Sequence, residues 1–378
     1  MKIAFLGDIM PGGVLHYTDD IVEKDVLSTL KEYDLRVACL EAAIGDKETY
    51  DETKMNGRMN IIYAPNKDLR HLRTLGINVV TLANNHTYDL GSEGLLNTLE
   101  RLDEMGIGHC GAGRNIEEAR KPAIVEINGK TIAFLAACQC GTVYVGYVKK
   151  ATESEPGINP LDIDTFCEDI SKAALQYDYV FVMPHWGIEY SYLPTEDIKE
   201  WARRMIDAGA SGVIGGHPHN IQPHIAYKDK PVFFSLGNFM FPDFYMKPPR
   251  LIWYPPTKEI RDNSNRLWHY PDRVIRNSVS VWHGRARIGM ITSISIEADR
   301  IDADYTLSYL SAGNKIKLYK CANNHLKRFR MWWMGRMIAS NSYKTFKNIY
   351  ESPYNLPRRI LHWMTRKAGI NFDVKIKL

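Results

Sequence analysis

A chain of 378 residues, 45% hydrophobic and 24% charged, can bury a large core, which excludes a disordered or low-complexity protein. Its six cysteines include no C-x-x-C pair, and Cys39 and Cys138 lie inside apolar runs, so they read as reduced core thiols and exclude a secreted disulfide framework. The net charge of +4 is uneven: residues 311–378 hold fifteen Lys or Arg against Glu351 and Asp373, leaving 33 basic and 42 acidic residues in the body.

In chain order, the first apolar run, KIAFLGD, begins at Lys2 with no room ahead of it for a signal sequence, so the expectation is a cytoplasmic protein. Strands are predicted over 2–7, 35–40, 78–83, 130–138, 178–184, 211–215 and 231–236, then an antiparallel pair over 288–298 and 301–310. Between them, 93–106 spaces Leu95, Leu96, Leu99 and Leu102 as a helix and stops at Gly106, and 197–209 does the same. Alternation of short strands with helices predicts an α/β fold built of parallel βα units. No apolar run approaches the ~18 residues that cross a bilayer. The stretch 240–285 is rich in Pro and aromatics without a period, a long excursion of the kind that often serves function. One domain over 1–310, followed by a basic extension over 311–378, is the expected organisation.

Polar residues gather where the strands end. Asp8 follows IAFLG, Glu41 follows RVACL, Asn85 and His86 follow VVTLA, His185 follows VFVMP, and His217 and His219 follow GVIGG. Ligands of open α/β sheets bind beyond the carboxyl ends of the strands, where these side chains can converge. Two carboxylates, an amide and four imidazoles suit Mn, Fe or Zn better than Ca or Mg. Taken singly, Asp8 could cap a turn and His185 could be a satisfied core histidine, but two histidines flanking a proline after a Gly pair have little to do in a core. Glu189 and His224 are candidates for substrate contact, with Arg58, Arg114 and Arg250 as further anion contacts. The remaining histidines, His71, His109, His269, His283, His325 and His362, are expected in solvent.

These residues belong to longer motifs: GDIMPGG at 7–13, LEAAIGD at 40–46, the stretch 77–113 around LANNHTYDLG, VMPHWGIEY at 182–190, DAGASGVIGGHPHNIQP at 207–223 and VFFSLGNFMF at 232–241. Over residues 2–241 their order resembles the bacterial capsule-biosynthesis protein CapA family, linked to poly-γ-glutamate production, whose core is similar to calcineurin-like phosphoesterases. The resemblance implies a metallophosphatase-like layered sheet core with helices outside. It implies Asp8, Glu41, Asn85, His185, His217 and His219 as metal ligands, with Glu41 as the bridging or second carboxylate, and His86 as the catalytic, substrate-facing imidazole. It further implies one or two divalent ions and a metal-dependent hydrolase or transferase acting on a phosphorylated or anionic polymer precursor in capsule or poly-γ-glutamate biosynthesis. Three positions depart from the pattern: Met10 replaces the histidine of a D-x-H start, Cys39 stands where relatives place Asn, and Gly216 where they often carry His. A metal-dependent peptide or polyglutamate epimerase, and a non-catalytic scaffold of a membrane-bound synthase complex, stay open beside the hydrolase.

The basic extension is not covered by the resemblance. Segments 326–350 and 356–367 mix Lys and Arg with Trp and Met, as an interfacial helix on an anionic membrane would. The alternative is a terminal helix packed on the acidic body; nucleic acid is not expected, since no recognised binding motif accompanies the charge.

Overall fold

The structure is a computed structural model that describes residues 1–46, 60–140, 148–246, 266–270, 279–280, 282, 284–319, 323–340 and 342–351. Its main strands are β1 (Lys2–Ile9), β2 (Leu35–Leu40), β3 (Val79–Thr81), β4 (Gly108–Cys110), β5 (Ala123–Ile127), β6 (Lys130–Cys138) and β7 (Tyr179–His185). They continue as β8 (Gly212–Ile214), β9 (His224–Tyr227), β10 (Lys230–Phe233), β11 (Asn238–Met240), β12 (Ile288–Glu297), β13 (Arg300–Leu310) and β14 (Ile316–Leu318).

Two sheets form. The first has the order β14-β13-β12-β1-β2-β3-β4, and the second β9-β10-β8-β7-β6-β5. In the first, β1 to β4 are parallel; in the second, β6, β7, β8 and β10 are. The two sheets share one core: Phe5 of the first meets Phe181 and Phe134 of the second at ring-centroid distances of 5.2 and 6.1 Å. Strand alternation divides β6 cleanly, with Ile132, Phe134, Ala136 and Cys138 facing that core and Ala133, Leu135 and Ala137 facing a second core on the outer side. Each such large side chain, fully buried, contributes about 1.5–3 kcal/mol.

Helices cover the outside. Those of six residues or more are α1 (Lys24–Leu30), α2 (Arg70–Leu75), α3 (Gly91–Met105), α4 (Ile163–Ala174), α5 (Glu196–Asp207), α6 (Asn323–Ile338) and α7 (Tyr343–Glu351). The stop signal in α3 works as the sequence predicts, because Gly106 takes the left-handed conformation (φ 67°). Helix α4 starts where the Asp162 side chain accepts from the Thr165 N–H. Phe166 and Ile170 of α4, and Ile198, Ala202 and Met205 of α5, fill the outer core against the second sheet. The layered α/β core with helices outside is the expected fold class.

The described chain after Ser311 packs on the body, as in the alternative of a terminal helix laid against it. Strand β14 is the edge of the first sheet, pairing with β13. Helix α6 lies on β9, where Gly335 packs so closely on the His224 carbonyl that a Cβ would come within 2.4 Å of it. Met334, Ile338 and Tyr343 complete the outer core, and the Tyr343 hydroxyl donates to the Pro194 carbonyl. The excursion contributes Phe244–Met246, Arg266–His269 and Val279–Ser280, which form a small sheet with Asn60–Ile61. Segment 356–367, Arg58, Arg250, His283 and His362 lie outside the described residues. Among the described residues, no helix is long and apolar enough to cross a membrane.

Candidate metal centre

The parallel strands of both sheets deliver their carboxyl ends to one place. Strand β1 reaches it by a close approach: Gly7 lies so near the Gly237 carbonyl that a Cβ would come within 1.8 Å of the oxygen. The next N–H, of Asp8, donates to that carbonyl at 2.9 Å, which fixes the Asp8 side chain. Asp8 and Glu41 are both fully buried. From the second sheet come His185, at the last position of β7, and the loop after β8, where His217 (φ 92°) and His219 (φ 52°) hold left-handed backbone. Non-glycine residues in that region cost about 1–3 kcal/mol each and persist where the surroundings hold them.

Beside a set that includes the Cys39 thiol, namely Asp8, Cys39 and His185, two groups of carboxylate and imidazole donors result, each with its ligand atoms within 4.8 Å of one another: Asp8, Glu41 and His219, and Glu41, His185 and His217. Glu41 is common to both. Its Oε1 lies 3.5 Å from His185 Nε2 and 3.6 Å from His219 Nε2. Asn85 joins the second group, with Oδ1 2.8 Å from His185 Nε2, and His217 Nδ1 is 3.2 Å from the same nitrogen.

The hydrogen bonding of this cluster is incomplete. Asp8 Oδ1, both Glu41 oxygens and His217 Nε2 are buried without a hydrogen-bond partner. Each unsatisfied buried polar group costs about 1–3 kcal/mol, more when charged, so four of them in one spot is not how a stable core is built. Burial, then repulsion from Glu41, raises Asp8 to a pKa of about 6. For Glu41, burial pulls upward, but His219, His185 and His86 prevail and hold it at about 2. Burial and the neighbouring His185 push His217 well below the usual imidazole value, which leaves it neutral and able to ligate. Anionic carboxylates beside the neutral His217 imidazole, with buried lone pairs aimed at no proton, fit divalent cations in the two groups that share Glu41.

Neighbouring side chains orient these donors. Asn238 on β11 donates through Nδ2 to the Ala286 carbonyl, which turns its Oδ1 toward His219 Nδ1 at 2.8 Å and reserves Nε2 for the Glu41 side. Cys39 Sγ lies 3.8 Å from His185 Nδ1 and the same distance from Asn84 Nδ2. Burial, then the Asp8 and Glu41 carboxylates, drive the Cys39 thiol well above its ordinary pKa, so it meets His185 as a neutral group. Asn84 is more than a turn residue: its Oδ1 accepts the N–H groups of His86 and Thr87, and its amide donates to the Leu40 carbonyl. His86 stands beside the donors with Nδ1 2.7 Å from Asp89 Oδ2, an oxygen that also takes the Ile62 N–H. Burial opposes the charged form of His86, but Asp89 and Glu41 outweigh it and raise its pKa to about 9.

Of the two substrate-contact candidates, Glu189 is at the mouth. Burial raises its pKa, and His219, His86, Glu41 and His185 all act on it electrostatically. His219 is flanked there by Phe241, Trp282 and Tyr190, with ring centroids 5.1, 5.4 and 6.0 Å away. His224 is not brought to the centre. It lies on β9, stacked on Phe233 at 4.9 Å and edge-on to Tyr305 at 5.1 Å, and burial together with Arg328 lowers its pKa to about 4. Arg114 is an exposed residue paired with Glu118. His71 is fully buried, not solvated, and bonds the Leu15 carbonyl. Asp89, Asn238 and the placement of Cys39 are not anticipated by the sequence patterns. Asp89 alone leaves a signal, a carboxylate three residues after His86 in NHTYD.

Residues 2–243 match the model of a protein family described as bacterial capsule synthesis protein PGA_cap. The capsule biosynthesis protein CapA of Bacillus anthracis is 30% identical over 283 residues, covering 71% of this chain and 66% of that protein. The PGA biosynthesis protein CapA of Bacillus subtilis (strain 168) is 32% identical over 247 residues, covering 64% of this chain. The chain thus spans 66% and 63% of the lengths of these two relatives. Among solved structures, a hypothetical protein from Thermus thermophilus superimposes with a TM-score of 0.48 at 15% identity, covering 81% of this chain and 98% of that one. That likeness is slight, and the fold class rests on the sheet topology itself. The family match, in contrast, spans every donor from Asp8 to Asn238, and the chain belongs to the bacterial capsule synthesis protein family, PGA_cap.

Proposed function

We propose that this chain is a metal-dependent hydrolase or transferase that acts on a phosphorylated or anionic polymer precursor in capsule or poly-γ-glutamate synthesis. The observation that carries the reading is the set of buried, uncompensated donors on Asp8, Glu41 and His217 at the shared end of both sheets. Asp8, Glu41 and His219 would hold one divalent ion, and Glu41, Asn85, His185 and His217 a second. Ions so held supply Lewis-acid polarisation of a phosphoryl or acyl group and a water nucleophile at neutral pH.

The chain's own residues supply the rest. Asp89 holds the His86 ring through Nδ1, so Nε2 is the atom that passes a proton to the departing group. Glu189 at the mouth, raised by burial, offers a second carboxyl to the substrate. Phe241 and Trp282 beside His219 restrict water at the first donor group.

Elemental analysis of the purified protein, followed by assays of phosphate release and of peptide hydrolysis, tests the proposal. Bound Mn, Fe or Zn with metal-dependent turnover is the expected result. A protein that takes up none of these ions from millimolar stocks is a scaffold, and one that binds them but only incorporates solvent deuterium into a peptide is an epimerase; either result overturns the hydrolase reading.

A further inference from the structure

Helix α6 has two apolar faces, and only one is covered. Met331, Met334 and Ile338 face the body and are buried. On the opposite side, Leu326, Phe329, Trp332 and Trp333 are 56%, 61%, 55% and 42% exposed. Half of the eight large hydrophobic residues exposed in the described chain therefore fall within eight consecutive positions of one helix, whereas the other four are scattered. The spacing i, i+3, i+6 and i+7 from Leu326 aligns them as one stripe. The stripe is joined ring to ring: Phe329 to Trp332 at 5.8 Å, and Trp333 to Phe346 of α7 at 5.3 Å. Scattered surface hydrophobics need no explanation, but a contiguous aromatic ridge does.

Charge decides the occupant. Residues 323–350 contain six Lys or Arg and no Asp or Glu. Arg336 is exposed on the same side as the ridge, over the Trp332 ring at 5.8 Å, and Lys344 is exposed on α7. A ridge of Trp, Phe and Leu set among cations, of which Arg328 is paired with Asp304, and with no acid on its own helix, matches an anionic lipid surface, with rings at headgroup depth and cations on the phosphates. We infer that the outer face of α6 docks on anionic membrane. The docking face is tied to the mouth of the metal centre: Arg330 lies over Tyr192 at 5.4 Å and Tyr343 holds Pro194, both in the loop that follows Glu189 and Tyr190. The inference stands on the helix alone and does not require the metal centre to be a hydrolase.

The experiment is co-sedimentation of the full chain with vesicles of phosphatidylglycerol in phosphatidylcholine, and with phosphatidylcholine alone, at low and high salt. Binding to the anionic vesicles at low salt, weakened by salt and by omitting phosphatidylglycerol, is expected, with a blue shift of tryptophan emission on binding. The double substitution Phe329→Gln/Trp332→Gln should weaken binding about tenfold or more, while Leu175→Gln, which removes an isolated exposed residue, should not. Thermal melts of each variant confirm that the fold is intact. Equal binding by parent and double variant would overturn the inference. So would binding by neither, a parent dimer that the double variant converts to monomer without any vesicle binding, or a preference for DNA over vesicles at matched salt.

Discussion

At the strand ends, Asp8, Glu41 and His217 bury polar atoms that no hydrogen bond satisfies; along α6, Leu326, Phe329 and Trp332 expose apolar surface that no described residue covers. The two regions depart from ordinary folding in opposite senses, and the difference says what each awaits. Buried lone pairs among carboxylates and imidazoles call for a cation, which would replace the missing hydrogen bonds with metal–ligand bonds. Exposed rings among cations call for a surface that is apolar inside and anionic at its edge. The first region is rigidly prepared, with glycine-tight backbone at Gly7 and left-handed backbone at His217 and His219. The second is a plain helix whose other face is simply core.

The sharpest way to break the comparison is Glu41→Gln. Both donor groups pass through Glu41, so metal content should fall to near zero in elemental analysis, while a single-group change such as His219→Ala should leave the second group intact. Ions bound only to the folded state stabilise it by about 2.7 kcal/mol at a hundredfold excess over Kd. Chelation should therefore lower the thermal midpoint of the parent and leave that of Glu41→Gln unchanged; a variant that retains both ions would end the shared-carboxylate reading. Next in size, His86→Asn should keep its metal and lose rate by about 10²–10⁴ if Nε2 delivers the proton. Metal loss in step with activity would make His86 a ligand instead.

Met334→Ala probes the covered face of α6. Truncating a buried methionine costs about 2–5 kcal/mol, and denaturant unfolding should show it even though the residue lies in the stretch whose composition suggested an extension. A loss below about 0.5 kcal/mol would mean that α6 is not part of the folded unit. Asn238→Ala comes next: with the acceptor at His219 Nδ1 gone, metal affinity should drop about 10- to 100-fold, read by competition with a chelating dye, with Glu41 and Asp8 still in place. Unchanged affinity would show that the tight loop, not Asn238, orients the ring.

The donors were legible because chemistry and position agreed: Asp8, Glu41, Asn85, His185, His217 and His219 are all polar residues that end apolar runs, and the structure brings those six together. Their supports were not, since Asn238 and Cys39 matter only through atoms that meet them across the fold, and neither residue type signals that by itself. Strands β1, β2, β6 and β7 were readable from long apolar runs, and β3 and β8 lie inside shorter predicted ones, but β4 and β11, three residues each outside any such run, are too short for a period to register. Division into two sheets could not be read from strand positions, because nothing local tells β2 to pair with β1 and β6 with β7. His224 misled for the same reason in reverse. It follows the H-x-H loop closely in sequence, yet the chain has already turned into β9, carrying it to the edge of the same sheet, away from the centre.

The smallest predicted effect is the other half of the α6 test. The sequence mixes Met, Trp and Arg along one helix, and the structure separates them, with Met334 inward and Trp332 outward. The Trp332 ring meets Phe329 and Arg336 of the same helix, so Trp332→Gln removes little that holds the fold. Exposed cation–π pairs contribute about 0.5–1 kcal/mol at most, and loss of the indole also relieves apolar surface from water. Denaturant unfolding of Trp332→Gln in the absence of lipid should thus differ from the parent by no more than about 0.5 kcal/mol. Should this substitution cost as much as Met334→Ala, the ridge would be serving the folded state, and its exposure would no longer point to a surface outside the protein.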